Sequence, residues 1–197
     1  MYSKLPNLVV AFHGCDKSTF DDVILMNKPL KPSNNSYDWL GNGIYFWESN
    51  KQRAQEWAEE QVIRKKYTTP AVIGAVIDLG YCLNLADSAF FPVLRIGYEI
   101  LNKRIRSEGK QLPYNRVGDD KVIRDLDCAV IEQIHDLNIS NKEKFFDSVR
   151  GLFIEGKEVY EGSGFRSKTH IQICIRNPNC IKGYFNPLIE DIKYPLP

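Results

Sequence analysis

The segment from Tyr37 to Glu48 constrains the fold more than any other part of this chain. Its Gly41-Asn42-Gly43 core permits a turn that approaches another backbone or a ligand closely, because neither glycine has a Cβ atom. Ile44 to Trp47, which follow, are β-branched or aromatic and favour a strand. Aromatic residues on strands usually pack in a core, but this arrangement can also present the Tyr45 ring to a flat ligand.

A second pattern lies upstream, where the apolar run Leu8 to Phe12 predicts a buried strand that ends at His13 and Gly14. A short amphipathic helix is expected over 18–26, capped by Ser18 or Thr19. The proline-rich loop that follows is either a cover for a site or a plain connector.

Further along the chain, periodicity predicts helices over 51–65, 90–106 and 121–137. His135, near the end of the third of these, is interpreted as a helix-end residue and not as a ligand. Strands are predicted over 70–77, 149–154 and 169–175, with a last one over 180–185. Alternation along the 169–175 strand places His170 and Gln172 on one face. With strands near both ends and helices between them, the chain is expected to have an α+β fold.

Composition narrows the class of protein. The 197 residues are 43% hydrophobic, which suits a single domain spanning 1–197. The net charge of +1 gives no long-range attraction for nucleic acid, although a local basic patch remains open. The five cysteines form no C-x-x-C pair, so we expect buried thiols and no metal. Neither a signal peptide nor a membrane span is evident, which predicts a cytoplasmic protein with no membrane partner.

The two motifs together, Phe12-His13-Gly14-Cys15 and Gly41-Asn42-Gly43-Ile44-Tyr45-Phe46, resemble the diphtheria-toxin-like ADP-ribosyltransferases, which include the poly(ADP-ribose) polymerases. The resemblance covers roughly 8–60 and, less closely, 165–186. The whole chain also looks like a group of uncharacterised bacterial proteins that share Tyr-Asp-Trp-Leu-Gly and Asn-Pro-Asn-Cys-Ile-Lys-Gly-Tyr-Phe. The first resemblance implies a split β-sheet core with flanking helices, and NAD as substrate.

The same resemblance implies roles for particular residues. His13 would bond the adenine-side ribose, for which an imidazole suits because it can donate from one nitrogen and accept at the other. Gly14 would clamp the carboxamide of NAD through its backbone, and Tyr45, which follows Gly43 of the turn, would stack on the nicotinamide. Trp57 would approach the second face of the nicotinamide, with core packing as its alternative role. His13, Gly14 and Tyr45 are therefore expected to line one NAD pocket between two small sheets.

The third catalytic position departs from the family pattern, because Gln172 stands where a glutamate is usual. A neutral amide can bond a ribose hydroxyl but lacks the charge that stabilises an oxocarbenium-like transition state, a loss on the order of 3 kcal/mol. His170, Glu158 and Glu161 are candidate accessory groups, and His170 has the alternative role of a solvated strand residue. Arg53 stands where the family usually has a serine that bonds the carboxamide.

These residues predict an NAD-dependent mono-ADP-ribosyltransferase that cleaves the nicotinamide–ribose bond. We do not expect polymer growth, because a neutral amide cannot take the proton of the next acceptor hydroxyl. The alternatives are an NAD glycohydrolase, in which water is the acceptor, and a non-catalytic module that binds NAD or ADP-ribose. The acceptor, macromolecular or small, stays open.

Overall fold

The computed structural model describes residues 8–118, 121–188 and 193–194. Four α-helices lie among them: α1 Lys17–Ile24, α2 Lys51–Ile63, α3 Phe91–Ser107 and α4 Asp125–Ser140. The strands are β1 Val9–Asp16, β2 Ile44–Glu48, β3 Pro70–Ile77, β4 Cys82–Asn84, β5 Asn115–Arg116, β6 Ile123–Arg124, β7 Ser148–Phe153, β8 His170–Ile175 and β9 Ile181–Phe185. The α+β class predicted from the sequence is confirmed.

One mixed sheet organises the described residues. Seven strands follow the order β4-β7-β8-β2-β1-β3-β9, and β5 and β6 form a separate two-stranded hairpin. Only the β4–β7 pair of the seven-stranded sheet is parallel. A pocket between two small sheets was expected, and this is corrected: one continuous large sheet is present.

The first strand is longer than its apolar run. β1 continues through His13 and Gly14 to Asp16, because Gly14 and Cys15 still pair with Val72 and Ala71 of β3. His13 therefore lies inside the strand and not at its end. The cap of α1 also differs from the prediction: the Asp16 carboxylate accepts from the backbone N–H of Ser18 at 3.0 Å.

Two short elements were not predicted from the sequence. Cys82–Asn84 form a strand because they pair with β7, a contact between segments far apart in the chain. The second strand of the β5–β6 hairpin occupies Ile123–Arg124, so α4 begins at Asp125 and not at 121 as predicted. Neither segment has enough alternating residues to indicate a strand.

The central strands have two covered faces. On the first face, the side chains of Ala11, Phe46, Ile73 and Ile173 form a core against which α1 packs through Phe20 and Ile24. On the second face, apolar clusters involve α2, α3 and α4. We call these the α1 face and the α2–α4 face.

All five cysteines are buried free thiols, as predicted. Their residues are Cys15, Cys82, Cys128, Cys174 and Cys180. Burial is the largest influence on those thiols whose pKa is shifted, and it raises the pKa of Cys82 to about 11 and that of Cys128 to about 12. They are therefore core residues in the protonated form.

Candidate functional site

The motif residues lie on three adjacent strands at the centre of the sheet. His13 is on β1, Tyr45 on β2 and Gln172 on β8, and the sheet order places β2 between the other two. The β1–β2 pairing consists of Ala11 with Glu48 and Phe12 with Trp47. Beyond Phe12, β1 continues its pairing with β3 alone, so a seam opens between β1 and β2 at His13 and Gly14.

His13 bridges this seam with its side chain. Its Nδ1 lies 2.8 Å from the carbonyl oxygen of Tyr45. Because a carbonyl oxygen can only accept, Nδ1 is the donor of this hydrogen bond. Burial lowers the pKa of His13, so the ring is neutral near pH 7, with the proton on Nδ1 and the lone pair on Nε2. The imidazole thus replaces a ladder hydrogen bond where β1 and β2 separate.

Tyr45 holds the glycine turn. Its hydroxyl donates to the carbonyl oxygen of Gly41 at 2.8 Å and accepts from the backbone N–H of Leu40 at 3.0 Å. Burial raises the pKa of Tyr45 well above its usual value, so the hydroxyl stays protonated. Gly43 is needed for packing, because a Cβ there would lie 2.6 Å from the carbonyl oxygen of Ile175.

The structure does not bring the His13 and Tyr45 rings together, and the expected shared pocket is corrected in this respect. His13 is on the α1 face, with its ring centroid 5.8 Å from that of Phe46. Tyr45 packs in the cluster on the α2–α4 face. Successive side chains of a strand point to opposite faces, so Tyr45, adjacent to Phe46, must point away from His13.

Gly14 and Trp57 both pack within the second face. A Cβ on Gly14 would lie 2.2 Å from the carbonyl oxygen of Ala54, so the glycine lets α2 approach β1. The partly buried Trp57 ring lies between Trp47 and Tyr67, at centroid distances of 5.6 and 5.8 Å. These contacts are the packing role given above as the alternative for Trp57.

Gln172 contacts a residue that the sequence did not single out for a role. Trp39 Nε1 donates to Gln172 Oε1 at 2.6 Å. The indole crosses β7 above Gly151, which stands opposite Gln172 in the β7–β8 register. A Cβ on Gly151 would lie 2.6 Å from the Trp39 ring. The only sequence signal for Trp39 was its place beside the glycine turn.

His170 shares the Gln172 face, as predicted, but it is buried and not solvated. Only 6% of its surface is exposed. Its Nδ1 donates to the carbonyl oxygen of Lys168 at 2.6 Å, and its ring stacks on Phe153 at 5.5 Å. Burial lowers the pKa of His170, so the imidazole is neutral near pH 7 and has a free lone pair on Nε2.

The other candidate accessory groups lie on the exposed β7–β8 loop. The Glu158 carboxylate accepts from the backbone N–H of Gly162 at 3.0 Å and lies 3.7 Å from the Arg166 guanidinium. Glu161 is exposed. Neither carboxylate contacts Gln172 within the described part of the chain.

A buried charge cluster beside His170 was missed by the sequence analysis. Arg53 is 6% exposed and bonds Glu155 through Nη2 at 2.7 Å. Lys168 bonds Glu60 at 2.6 Å, so both ends of the β7–β8 loop are attached to α2. Periodicity does not reveal such a cluster, because a charged residue on a helix is normally solvated.

Two cavities lie on the α4 side of the molecule. The larger, of about 560 Å³, is mainly apolar and is lined by Trp39, Leu94, Tyr98 and Val130 among others. The second, of about 480 Å³, has Asn42, Arg116 and Asp125 among its lining residues. Neither is lined by His13, Tyr45 or Gln172. Trp39 thus connects Gln172 with the wall of the larger cavity.

Over residues 8–118, 121–188 and 193–194, no cluster of three His, Cys, Asp or Glu side chains suited to a metal ion is found. No helix in those ranges is both long and apolar enough to cross a membrane.

Comparison with known proteins gives one relative and no family. No protein-family model matches the chain, and no solved structure matches it. The chain is similar to an uncharacterized protein, MJ0359, of Methanocaldococcus jannaschii. The two are 28% identical over an alignment of 192 positions that covers 87% of this chain and 83% of that protein. This relative carries no assigned activity.

Proposed function

We propose that the chain is an NAD-dependent mono-ADP-ribosyltransferase. The observation that carries the proposal is the seam between β1 and β2, which opens beyond the Phe12–Trp47 pair. His13 and Gly14 lie on one side of this seam and Tyr45 on the other, with Gln172 on the next strand. These four positions were selected from separate motifs, and their placement on adjacent central strands supports the resemblance.

In this proposal, the β1 edge at Gly14 faces no β2 partner and offers backbone groups to the NAD carboxamide. His13 Nε2 accepts a hydrogen bond from a ribose hydroxyl, since Nδ1 already donates to the Tyr45 carbonyl oxygen. Tyr45 keeps the glycine turn in place through its hydroxyl. Gln172 orients the nicotinamide-side ribose, so the nicotinamide–ribose bond breaks without a carboxylate at this position.

The second candidate is a non-catalytic module that binds NAD or ADP-ribose. Two observations weigh against a catalytic arrangement of the motif residues: the His13 and Tyr45 side chains lie on opposite faces of the sheet, and α2 fills the space in front of Gly14. A neutral Gln172 also provides no charge for the developing cation.

Incubation with NAD that is labelled in its ADP-ribose part separates these functions. A transferase releases nicotinamide and labels an acceptor, a glycohydrolase releases nicotinamide only, and a binding module does neither but still binds NAD in calorimetry. We expect nicotinamide release and label transfer by the wild type.

The variant Gln172→Ala should reduce nicotinamide release about tenfold, because one oriented hydrogen bond is lost. Gln52→Ala, on the exposed side of α2, is the matched control and should be unchanged. Absence of NAD binding by the wild type would reject the proposed function.

A further inference from the structure

The hydrogen bond between Trp39 and Gln172 determines the orientation of the glutamine amide. An indole N–H can only donate, whereas a glutamine amide has an oxygen that accepts and a nitrogen that donates. The atom that lies 2.6 Å from Trp39 Nε1 must therefore be the Gln172 oxygen. The NH₂ group is consequently turned away from the indole. Hydrogen-bond chemistry fixes this assignment, even though amide oxygen and nitrogen are hard to distinguish by shape.

The Trp39 indole is itself held from several sides. Gly151 provides the space over which it lies, since a Cβ there would approach the ring to 2.6 Å. The Phe153 ring packs against it at a centroid distance of 4.9 Å and an interplanar angle of 62°. The Arg124 guanidinium lies 5.0 Å from the indole and 4.2 Å from the Phe153 ring. A rigid donor of this kind can orient the side chain that it bonds.

The NH₂ group of Gln172 lies on the side of the amide that faces away from Trp39. The side chain is half-buried, and its NH₂ group makes no hydrogen bond to any residue within 8–118, 121–188 or 193–194. Two N–H donors are therefore available to a ligand. A glutamate held by the same indole would present its second oxygen there, which accepts but cannot donate. The two side chains thus select opposite hydrogen-bonding partners.

We propose that Trp39 is a positioning residue that fixes the Gln172 amide so that this position donates a hydrogen bond to a ligand oxygen. The inference rests on the proposed function, since it takes Gln172 to contact NAD. The partner is an oxygen of the nicotinamide-side ribose that accepts from Gln172 and keeps its own proton. The Gln172 amide therefore favours ligands that place a hydrogen-bond acceptor beside it. A neutral amide also cannot deprotonate a ribose hydroxyl.

The first test measures the amide orientation in the free protein. The indole N–H signals are recorded by ¹H–¹⁵N NMR, with Trp39→Phe and Trp47→Phe used to assign them. In Gln172→Leu, the Trp39 N–H should exchange with solvent at least about tenfold faster, because its acceptor is gone. The Trp47 N–H, which lacks a hydrogen-bond partner in the described residues, should keep its rate. An unchanged Trp39 rate would overturn the inference.

The second test replaces the hydrogen-bond donor at position 172 with an acceptor, in the variant Gln172→Glu. Calorimetry compares NAD with two analogues in which fluorine replaces one or the other nicotinamide-side ribose hydroxyl. Fluorine cannot donate to a carboxylate but tolerates an N–H donor. For one analogue, the loss of affinity relative to NAD should be at least about tenfold greater in Gln172→Glu than in wild type. In Trp39→Phe the amide can turn over, so the loss should be intermediate, whereas Trp47→Phe should behave as wild type.

The outcomes of the two tests are distinguishable. Equal relative losses in wild type and Gln172→Glu for both analogues would overturn the donor role while leaving NAD binding intact. If no variant binds NAD, the proposed function and the ligand part of this inference both fail. The exchange rate of the Trp39 N–H still decides whether the indole orients the amide.

Discussion

The α1 face and the α2–α4 face of the same central strands differ in how completely their buried polar atoms are hydrogen-bonded. On the α1 face, His13 bonds the Tyr45 carbonyl, and Arg150 forms a two-point ion pair with Glu48 at 2.5 and 2.9 Å. The buried nitrogen atoms without a hydrogen bond in the described part of the chain lie on the other face or its helices: Trp47 Nε1, Arg53 Nε and Nη1, His135 Nε2 and His170 Nε2.

The difference indicates which face is adapted for something other than stability. An unsatisfied buried polar atom costs about 1–3 kcal/mol, so a face that keeps several of them is less stable than an apolar one. Gln172 and its neighbours Trp39 and His170 belong to this face. We therefore expect substitutions on the α2–α4 face to have larger and more pH-dependent effects on stability than those beside α1.

The largest effect is expected for Arg53→Met. This change leaves the Glu155 carboxylate, 16% exposed, without its cation, which should reduce the free energy of unfolding by about 3–5 kcal/mol. Urea unfolding followed by circular dichroism measures it. Arg64→Met, at the residue that follows α2, is the control, because its side chain is 62% exposed and the change should alter stability by less than about 0.5 kcal/mol. Equal losses in the two variants would show that the buried Arg53–Glu155 ion pair has no special weight in the stability of this face.

The next effect is acid sensitivity from His135, a residue interpreted from the sequence as lying at a helix end. It is instead 2% exposed within α4, and burial, followed by the Arg176 charge, lowers its pKa to about 3. In the unfolded chain the pKa of His135 is near 6.5, so as the pH falls the unfolded state binds the proton before the folded state does. Stability should therefore be lost between about pH 6.5 and 3, by up to about 1.4 kcal/mol per pH unit.

His135→Leu isolates this contribution from those of His13 and His170. The variant should lose less stability than wild type between pH 6.5 and 4, as measured by urea unfolding at each pH. Parallel pH profiles for the two proteins would show that His135 is not the group responsible.

The smallest effect is expected beside the α1 face. Asp16→Ala removes the N-cap of α1, whose carboxylate also accepts from the backbone N–H of Thr68 at 2.6 Å. Loss of this cap should reduce the free energy of unfolding, measured by urea unfolding, by less than either of the changes above. Asp16→Asn, which keeps an accepting oxygen, should recover most of it. A loss as large as that of Arg53→Met would remove the distinction between the two faces.

Local pattern was sufficient for most elements of the fold. The strands over 44–48 and 70–77 and the helix from Lys51 were predicted closely, since their periodicity, glycine turn and Asn50 cap are encoded within a few residues. The strand β4 depends on pairing with the distant strand β7. The strands of the β5–β6 hairpin pair locally but have only two residues each, too few to show an alternating pattern.

The sequence by itself determined the α+β class, the turn before Tyr45 and the shared face of His170 and Gln172. Each follows from short-range rules: glycine conformation, side-chain alternation and apolar period. Tertiary structure alone decided that His13 and Tyr45 point to opposite faces, because this depends on the β1–β2 register. It also decided that Trp39 meets Gln172, because that contact joins residues 133 positions apart through the space left by Gly151.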